Sequence, residues 1–411
     1  MAATTQAPAA VPSTNVPPAT VPGSTAHTDG NWAPIQTRSE RRRSYDPADF
    51  ERPTGREVNW KHTPIDRLAS LFADKSGRHG VIEVEVVASA AVEQETRRVG
   101  EAPRGEVFVP EDLPSAIAWT QEEHAPLIRI PEDVELTEPV SIRLHGTGGL
   151  AHAHVVIEAA PNSRATVLLT HTGTAEHAQN VEIIVRDGAH LTVISVQQWD
   201  DDAVHAASHQ ARVERDATLR HFVVSFGGAV VRVNPSVELA GAGAQGQLYG
   251  LSYSDSGQHL ESQVYLFHKG RDTRGDVLYK GALQGAGARS VWIGDVLIGP
   301  DAVGTDSYEA NRNLVLTDGA RAESIPNLEI ETGDIRGAGH ASATGRFDDE
   351  QLFYLQSRGI SEDEARRLVV VGFLSDIVQR IGIPSLEAEL HAAIQNELRA
   401  IEGDIPEGAA Q

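Results

Sequence analysis

The chain contains no cysteine. Without a thiol it forms no disulfide, and it cannot by itself hold a metal or a cluster through thiolates; a reducing compartment fits that composition. Aromatic residues are scarce as well, 5% of the chain against 40% hydrophobic residues in all. The core must therefore come mainly from Val, Leu, Ile and Ala, which suits stacked β-structure better than a pocket for a large aromatic ligand. Basic residues are outnumbered 35 to 58, and the resulting net charge of -23 repels phosphate backbones and anionic headgroups, which argues against nucleic acid and membrane surfaces as partners. No stretch approaches the roughly 18 consecutive apolar residues of a membrane-spanning helix. The N-terminus has neither the basic nor the apolar region of a secretory signal, and the expected location is cytoplasmic.

What is present changes texture along the chain. Residues 1–45 read as a disordered tail rich in Ala, Pro and Thr, with five prolines by Pro22. A short basic run, Arg38 and Arg41 to Arg43, reads first as a solvated charge cluster. Residues 46–135 form a helical or mixed region, in which Pro64 opens a short helix with Ile65, Leu68 and Leu71 on one face. Residues 136–340 alternate apolar and polar residues in short runs, the signature of strands. Turns of small or acidic residues recur at Asn162-Ser163, Asp187-Gly188, Asp216-Ala217, Gly243-Ala244, Gly287-Ala288 and Asp318-Gly319-Ala320. Taking the interval of 44 from Gly243 to Gly287 as two coils gives a period of roughly 22 to 32 residues. A parallel β-helix fits that period, and composition alone leaves a jelly roll or sandwich equally open.

Residues 341–405 read as a helical domain. Asp348 caps a helix that Gly359 ends, Ser361 and Glu364 form a capping box for the next, and Pro384 opens a third. On the middle helix, Leu368, Val369, Gly372, Phe373 and Ile377 share one face; on the third, Leu386, Leu390, Ile394 and Leu398 do.

Several chemical motifs fail on inspection. Gly241, Gly243 and Gly246 have dinucleotide-site spacing but precede strand-like sequence where a helix is needed. Gly299 to Thr305 lacks the lysine of a phosphate-binding loop. Asp200, Asp201 and Asp202 read as a loop tip, not as the carboxylates of a carbohydrate enzyme. His152, His154 and Glu158 resemble the first metal motif of cupins, which makes a cupin-like metal-dependent enzyme the alternative reading. The closing glycine of that motif is replaced by Ala165, however, and the second motif is not found.

The most informative stretch runs from Tyr308 to Val378. "NRNLVLTDGA" at 311–320, "SIPNLEI" at 324–330, "GHASATG" at 339–345 and "LFYLQSRGI" at 352–360 resemble, in order, the shared signature of the SufB/SufD family of the SUF iron–sulfur cluster assembly complex, on the SufD side. Weaker resemblance reaches back to about Leu144. What it implies is a mainly β chain: a right-handed parallel β-helix core, a small N-terminal helical region and a C-terminal helical domain. It also implies a non-catalytic scaffold that pairs with SufB through the β-helix and meets the SufC ATPase through the C-terminal helices. An iron–sulfur cluster would be shared transiently with SufB, and ATP would act only through SufC; a flavin on the complex and a homodimer of the chain alone stay open. Carried over by position, His340 is the candidate cluster and metal ligand, since an imidazole nitrogen is a competent iron donor. Asn311 and Asn313 are candidates for the SufB interface, and Gln351, Leu352, Phe353, Tyr354 and Arg358 for the SufC-facing region. The chain departs from some relatives in having "RGAGH" where they have a cysteine just before this histidine, and from SufB in lacking a cysteine near Ala310 or Asn311.

Overall fold

The computed structural model describes residues 41–73, 80–346 and 349–402; the Ala/Pro/Thr-rich tail as far as residue 40, and Asp348, lie outside them. The first described segment folds as 3₁₀ helix at Ile65–Phe72, with Leu68, Leu71 and Phe72 buried. The spacing of three between Ile65, Leu68 and Leu71, which the sequence assigns to a helix face, fits the three-residue turn of a 3₁₀ helix. Then come β1 (Ile82–Val87), β2 (Glu93–Arg98), α1 (Leu113–Gln121) and β3 (His124–Ile130). Helix α1 starts at a capping box between Asp112 and Ser115.

The core is a parallel β-solenoid of about eight turns. Strands β4 (Val140–Ala159) and β5 (Arg164–Val185) each bend through a whole coil. Thereafter the coils are pairs: β6 (His190–Trp199) and β7 (Val204–Val213), β8 (Thr218–Ser225) and β9 (Val230–Leu239), β10 (Gln245–Ser254) and β11 (His259–His268), β12 (Arg274–Leu283) and β13 (Arg289–Ile298), β14 (Asp306–Val315) and β15 (Arg321–Ile330). Strand β16 (Gly337–Arg346) is a final half-coil and carries the sheet beyond residue 340. Even-numbered strands stack into one ladder and odd-numbered strands into another, meeting at β5 and ending at β16 and β15. Inward side chains of both ladders, among them Val167, Val181, Leu219, Val233 and Leu266, make one continuous apolar filling.

Two corners, not one, give the sequence its recurring turns. At the first, Asp133, Asn162, Gly188, Asp216, Gly243, Asp272 and Gly304 follow one another up the stack, all at positive φ, a conformation only Gly, Asn and Asp adopt readily. From Asn162 onward Asx and Gly alternate. The reason is steric: a Cβ on Gly188, Gly243 or Gly304 would stand 2.5 Å from the Oδ1 of Asn162, Asp216 or Asp272 in the coil beneath. The second corner carries Gly257, Gly287 and Gly319. The interval from Gly243 to Gly287 therefore crosses from one corner to the other and spans one and a half coils, not two; the corner at Asp272 lies inside it.

Both outer faces of the solenoid are covered. Trp60, Leu68, Leu71, Leu113 and Ile117 of the N-terminal region pack over Leu150, Ala178, Val204, Ala206 and Val230. Buried Arg232 of β9 fastens them, donating to Glu261 (3.0 Å), Asp112 (3.2 Å) and the Asn59 carbonyl (3.1 Å), with its guanidinium 3.9 Å from the centre of the Trp60 ring. Of the basic run, Arg38 lies outside the described residues and the rest is likewise held within the chain: Arg41 donates to Gln263, Arg42 to the Asp49 carbonyl, and Arg43 pairs with Glu111.

On the other side lie α2 (Asp349–Ser357), α3 (Glu362–Ile381) and α4 (Pro384–Glu402). Ser361 caps α3 by accepting from Glu364 N, and Gly359 and Gly382 end helices at positive φ. Val370, Leu374, Ile377, Val378 and Ile381 of α3, with Leu386, Leu390, Ile394 and Leu398 of α4, bury against Ile194, Phe222, Tyr249, Leu251 and Tyr253. The face assigned to α3 from sequence is thus rotated: Leu368 points outward, 46% exposed. The unbroken apolar run from Leu368 to Val371 fits more than one helical phase, and packing selects between them.

Candidate functional site

The last coil breaks the rule that apolar residues face inward. On β14 the inward positions are Ser307, Glu309, Asn311 and Asn313, all buried, while Tyr308 faces out, 55% exposed. Asn311 donates to the Tyr279 carbonyl (3.2 Å), Asn313 donates to Asn311 (2.7 Å) and Ser324 (2.9 Å), and Ser307 meets His268 at 2.9 Å. The two asparagines assigned to a partner interface are therefore wall residues of the lumen beneath β16. Odd-numbered residues of this strand point inward, so their side chains are not available to a partner on the outer surface.

Glu309 has no such partners. It is 2% exposed, and neither carboxyl oxygen accepts a hydrogen bond among the described residues. Burial, followed by the nearby charge of Asp295, pushes its carboxyl up to about 8. In the parallel register of β14 and β16 its neighbour is His340, whose Nδ1 lies 3.9 Å from Glu309 Oε1. The His340 side chain is 46% exposed at the open end of the solenoid. Across the lumen stands Gly294, where a Cβ would be 2.4 Å from Glu309 Oε2. Beyond β15 and β16 neither ladder has a further strand among the described residues, so both end in a free edge.

Glu309 escaped the sequence reading because a polar residue at alternate positions looks like the solvent face of a strand. The signal is the phase: carried up from the earlier coils, "SYEANRNLV" places Glu309 over Val277 and Leu248, and Asn311 over Tyr279.

On α2 the candidates separate. Leu352 is buried, whereas Phe353 (71% exposed) and Tyr354 (57%) face outward, with Arg358 5.1 Å over the Tyr354 ring. Leu368 is exposed on the next helix. Gln351's side chain lies outside the described set. Behind them α3 is fixed to the solenoid by Lys280, which donates to the Phe373 carbonyl (3.0 Å) and pairs with Asp376 (3.1 Å). Arg380 adds a second tie by donating to Tyr249 (3.2 Å), which donates to Asp276 (2.7 Å).

A second polar concentration lies deep in the lumen. His171, His177 and His205 surround Trp199, and His209 and His221 pair beside them, with ring centres 5.0 to 6.0 Å apart in the contacting pairs. His171 donates to the Val196 carbonyl and meets the Gln179 amide, His205 and Trp199 donate to Gln197, and His209 meets His221 at 3.0 Å. Desolvation keeps all five neutral, with His171 and His221 lowered to about 4 and His177 to about 3.

The cupin-like triad is not assembled. His154 is buried between Phe108 and Trp119, and Glu158 is held by Arg129 and Arg186, all beneath the N-terminal cover. No group of three His, Asp or Glu side chains placed to hold a metal exists among the described residues. No helix among them is long and apolar enough to cross a membrane. Asp200 to Asp202 do form an exposed tip.

The family model described as "SUF system FeS cluster assembly, SufBD core domain" matches residues 142–373. An iron–sulfur cluster assembly SufBD family protein of Mycobacterium tuberculosis is 46% identical over 391 residues, 93% of this chain and 98% of that protein. One from Mycobacterium leprae is 44% identical over 367 residues, 87% of this chain and 94% of its own length. A second Mycobacterium leprae protein of the same description is 28% identical over 227 residues, 55% of this chain and 26% of that protein.

Proposed function

Because the chain belongs to the SufB/SufD family of iron–sulfur cluster assembly proteins, we propose that it is a SufD-like scaffold subunit, contributing an imidazole but no thiolate to a cluster site completed by a SufB-like partner. The observation that carries this reading is His340, half-exposed at the open end of the solenoid in a chain without cysteine. The free edges of β15 and β16 flank it and offer backbone donors and acceptors to a second sheet. That Mycobacterium leprae has two unlike members, one matching this chain nearly end to end and the other over a fraction, supports a heteromeric pair.

In this reading the cluster is cargo, and no residue of the chain is catalytic. The exposed Phe353, Tyr354 and Arg358 receive the SufC ATPase. A movement imposed there reaches the solenoid through α3, whose Lys280 and Arg380 contacts tie it to β12 and β10, the coils just below His340. Co-expression with SufB and SufC homologues tests the assembly: a stable ternary complex is expected, and a chain that purifies alone would overturn it. Replacing Phe353 and Tyr354 together by Ala should release the ATPase and leave the SufB pairing intact. His340→Ala should keep the complex and lower its cluster yield at least tenfold; full yield would remove His340 from the site.

A further inference from the structure

A carboxyl buried without a hydrogen bond costs roughly 1–3 kcal/mol and calls for an explanation. Glu309 is such a group, with both oxygens unpartnered at 2% exposure. The amides on the same strand are committed elsewhere: Asn311 to the Tyr279 carbonyl, Asn313 to Asn311 and Ser324. The opposite wall is glycine, and any side chain at Gly294 would occupy the carboxyl's place. The lumen at this level makes room for the carboxyl, which accepts no hydrogen bond there among the described residues. Above it, in register on the next strand, lies His340.

We propose that Glu309 is the second protein donor of the iron site read at His340, so that a carboxylate oxygen and an imidazole nitrogen together hold one ferrous ion at the mouth of the solenoid. This rests on the reading of His340 given above and adds a residue to it. Divalent first-row metals sit about 2.0–2.2 Å from such oxygen and nitrogen donors, so one ion can bridge a pair up to roughly 4.2 Å apart. His340 Nδ1 and Glu309 Oε1 are 3.9 Å apart. One hard oxygen and one imidazole suit Fe(II) or Mn(II) better than Cu(I), which wants thiolate or thioether. The remaining coordination positions face the open end, where water serves in the isolated chain and the partner's thiolates in the complex. Glu309 reaches this place from inside the wall, so it adds a ligand without occupying any of the surface a partner must cover.

The test uses the full chain and Fe(II) alone, by anaerobic equilibrium dialysis, comparing wild type with Glu309→Gln, Glu309→Asp and His340→Ala. The expected result is one iron per chain whose affinity falls at least tenfold in both Glu309→Gln and His340→Ala, and less in Glu309→Asp, which keeps a carboxylate one carbon further back. Iron binding unchanged in Glu309→Gln but weakened in His340→Ala would overturn the proposal and leave the His340 reading standing. Iron binding unchanged in His340→Ala would overturn both. Thermal melts accompany each variant; should Glu309→Gln unfold, Glu309→Asp decides, a measurable loss of iron affinity supporting the proposal and unchanged affinity overturning it.

Discussion

Between β5 and β8 the lumen holds five imidazoles and an indole that bond to Gln179, Gln197, backbone carbonyls and one another behind closed coils, whereas at β14 and β16 it holds one carboxyl that nothing bonds beneath a half-exposed imidazole. Both break the apolar filling of the solenoid. In the first region every ring makes at least one hydrogen bond, although His177, His205 and His209 leave Nε2 and His221 leaves Nδ1 unpartnered, so removing a ring leaves a hole and a further orphan. In the second the polar group is already an orphan, so little structural is lost with it, and what it can offer is a vacant pair of oxygens. Burial alone does not separate a structural polar cluster from a working one; the accounting of partners does.

The largest effect expected from this contrast is on stability. Trp199→Ala, which empties the centre of the histidine cluster, should cost about 3–5 kcal/mol in denaturant unfolding, while His340→Ala, at a half-exposed position, should stay within about 1 kcal/mol. Equal losses would mean that the open end is as integral to the fold as the closed one.

The next effect is a pair of opposite pH slopes. The five histidines are lowered from 6.5 in the fold, so the unfolded chain binds more protons below that pH. Their contribution is complete above about 6.5 and lost as pH falls toward about 4. Glu309 is raised from 4.5 to about 8, so its contribution is complete below 4.5 and lost as pH rises through 8. Single-tryptophan chains keeping Trp199 or Trp292 should report loosening at the acid and alkaline sides respectively. The smallest change is that of Glu309→Gln, which should raise the melting temperature at pH 8 by a few degrees, equivalent to about 1 kcal/mol, and leave it unaltered at pH 4.5. A variant that melts like wild type at both would place the alkaline slope elsewhere.

Much of this architecture is legible in the sequence because coil corners need Gly, Asn or Asp whatever surrounds them, and those residues punctuate the chain. What the sequence does not reveal is which corner a given turn belongs to. Gly243 and Gly287 look alike, and Asp272, set among the charged residues of "KGRDTRG", looks like an ordinary loop. Strand phase was equally ambiguous wherever polar residues turn inward: alternation tells that two faces differ, not which one is the lumen. Asn311, Asn313 and Glu309 read equally well as solvent-facing, and only the fold shows that they are buried. His340, by contrast, is singled out through a motif, which carries position without requiring the phase to be known.

The alternation of Asx and Gly at the first corner bears on how such a chain can lengthen or shorten over generations. From Asn162 to Gly304 a carboxylate or amide in one coil lies under a bare Cα in the next. Copying a single coil would bring two acidic corners within about 4.8 Å, or set two glycines together with nothing to fill the gap. Copying two coils at once preserves the order. The corner therefore gives the solenoid a parity, and the heritable unit of growth is a pair of coils of roughly 55 residues, twice the length that the repeat itself suggests.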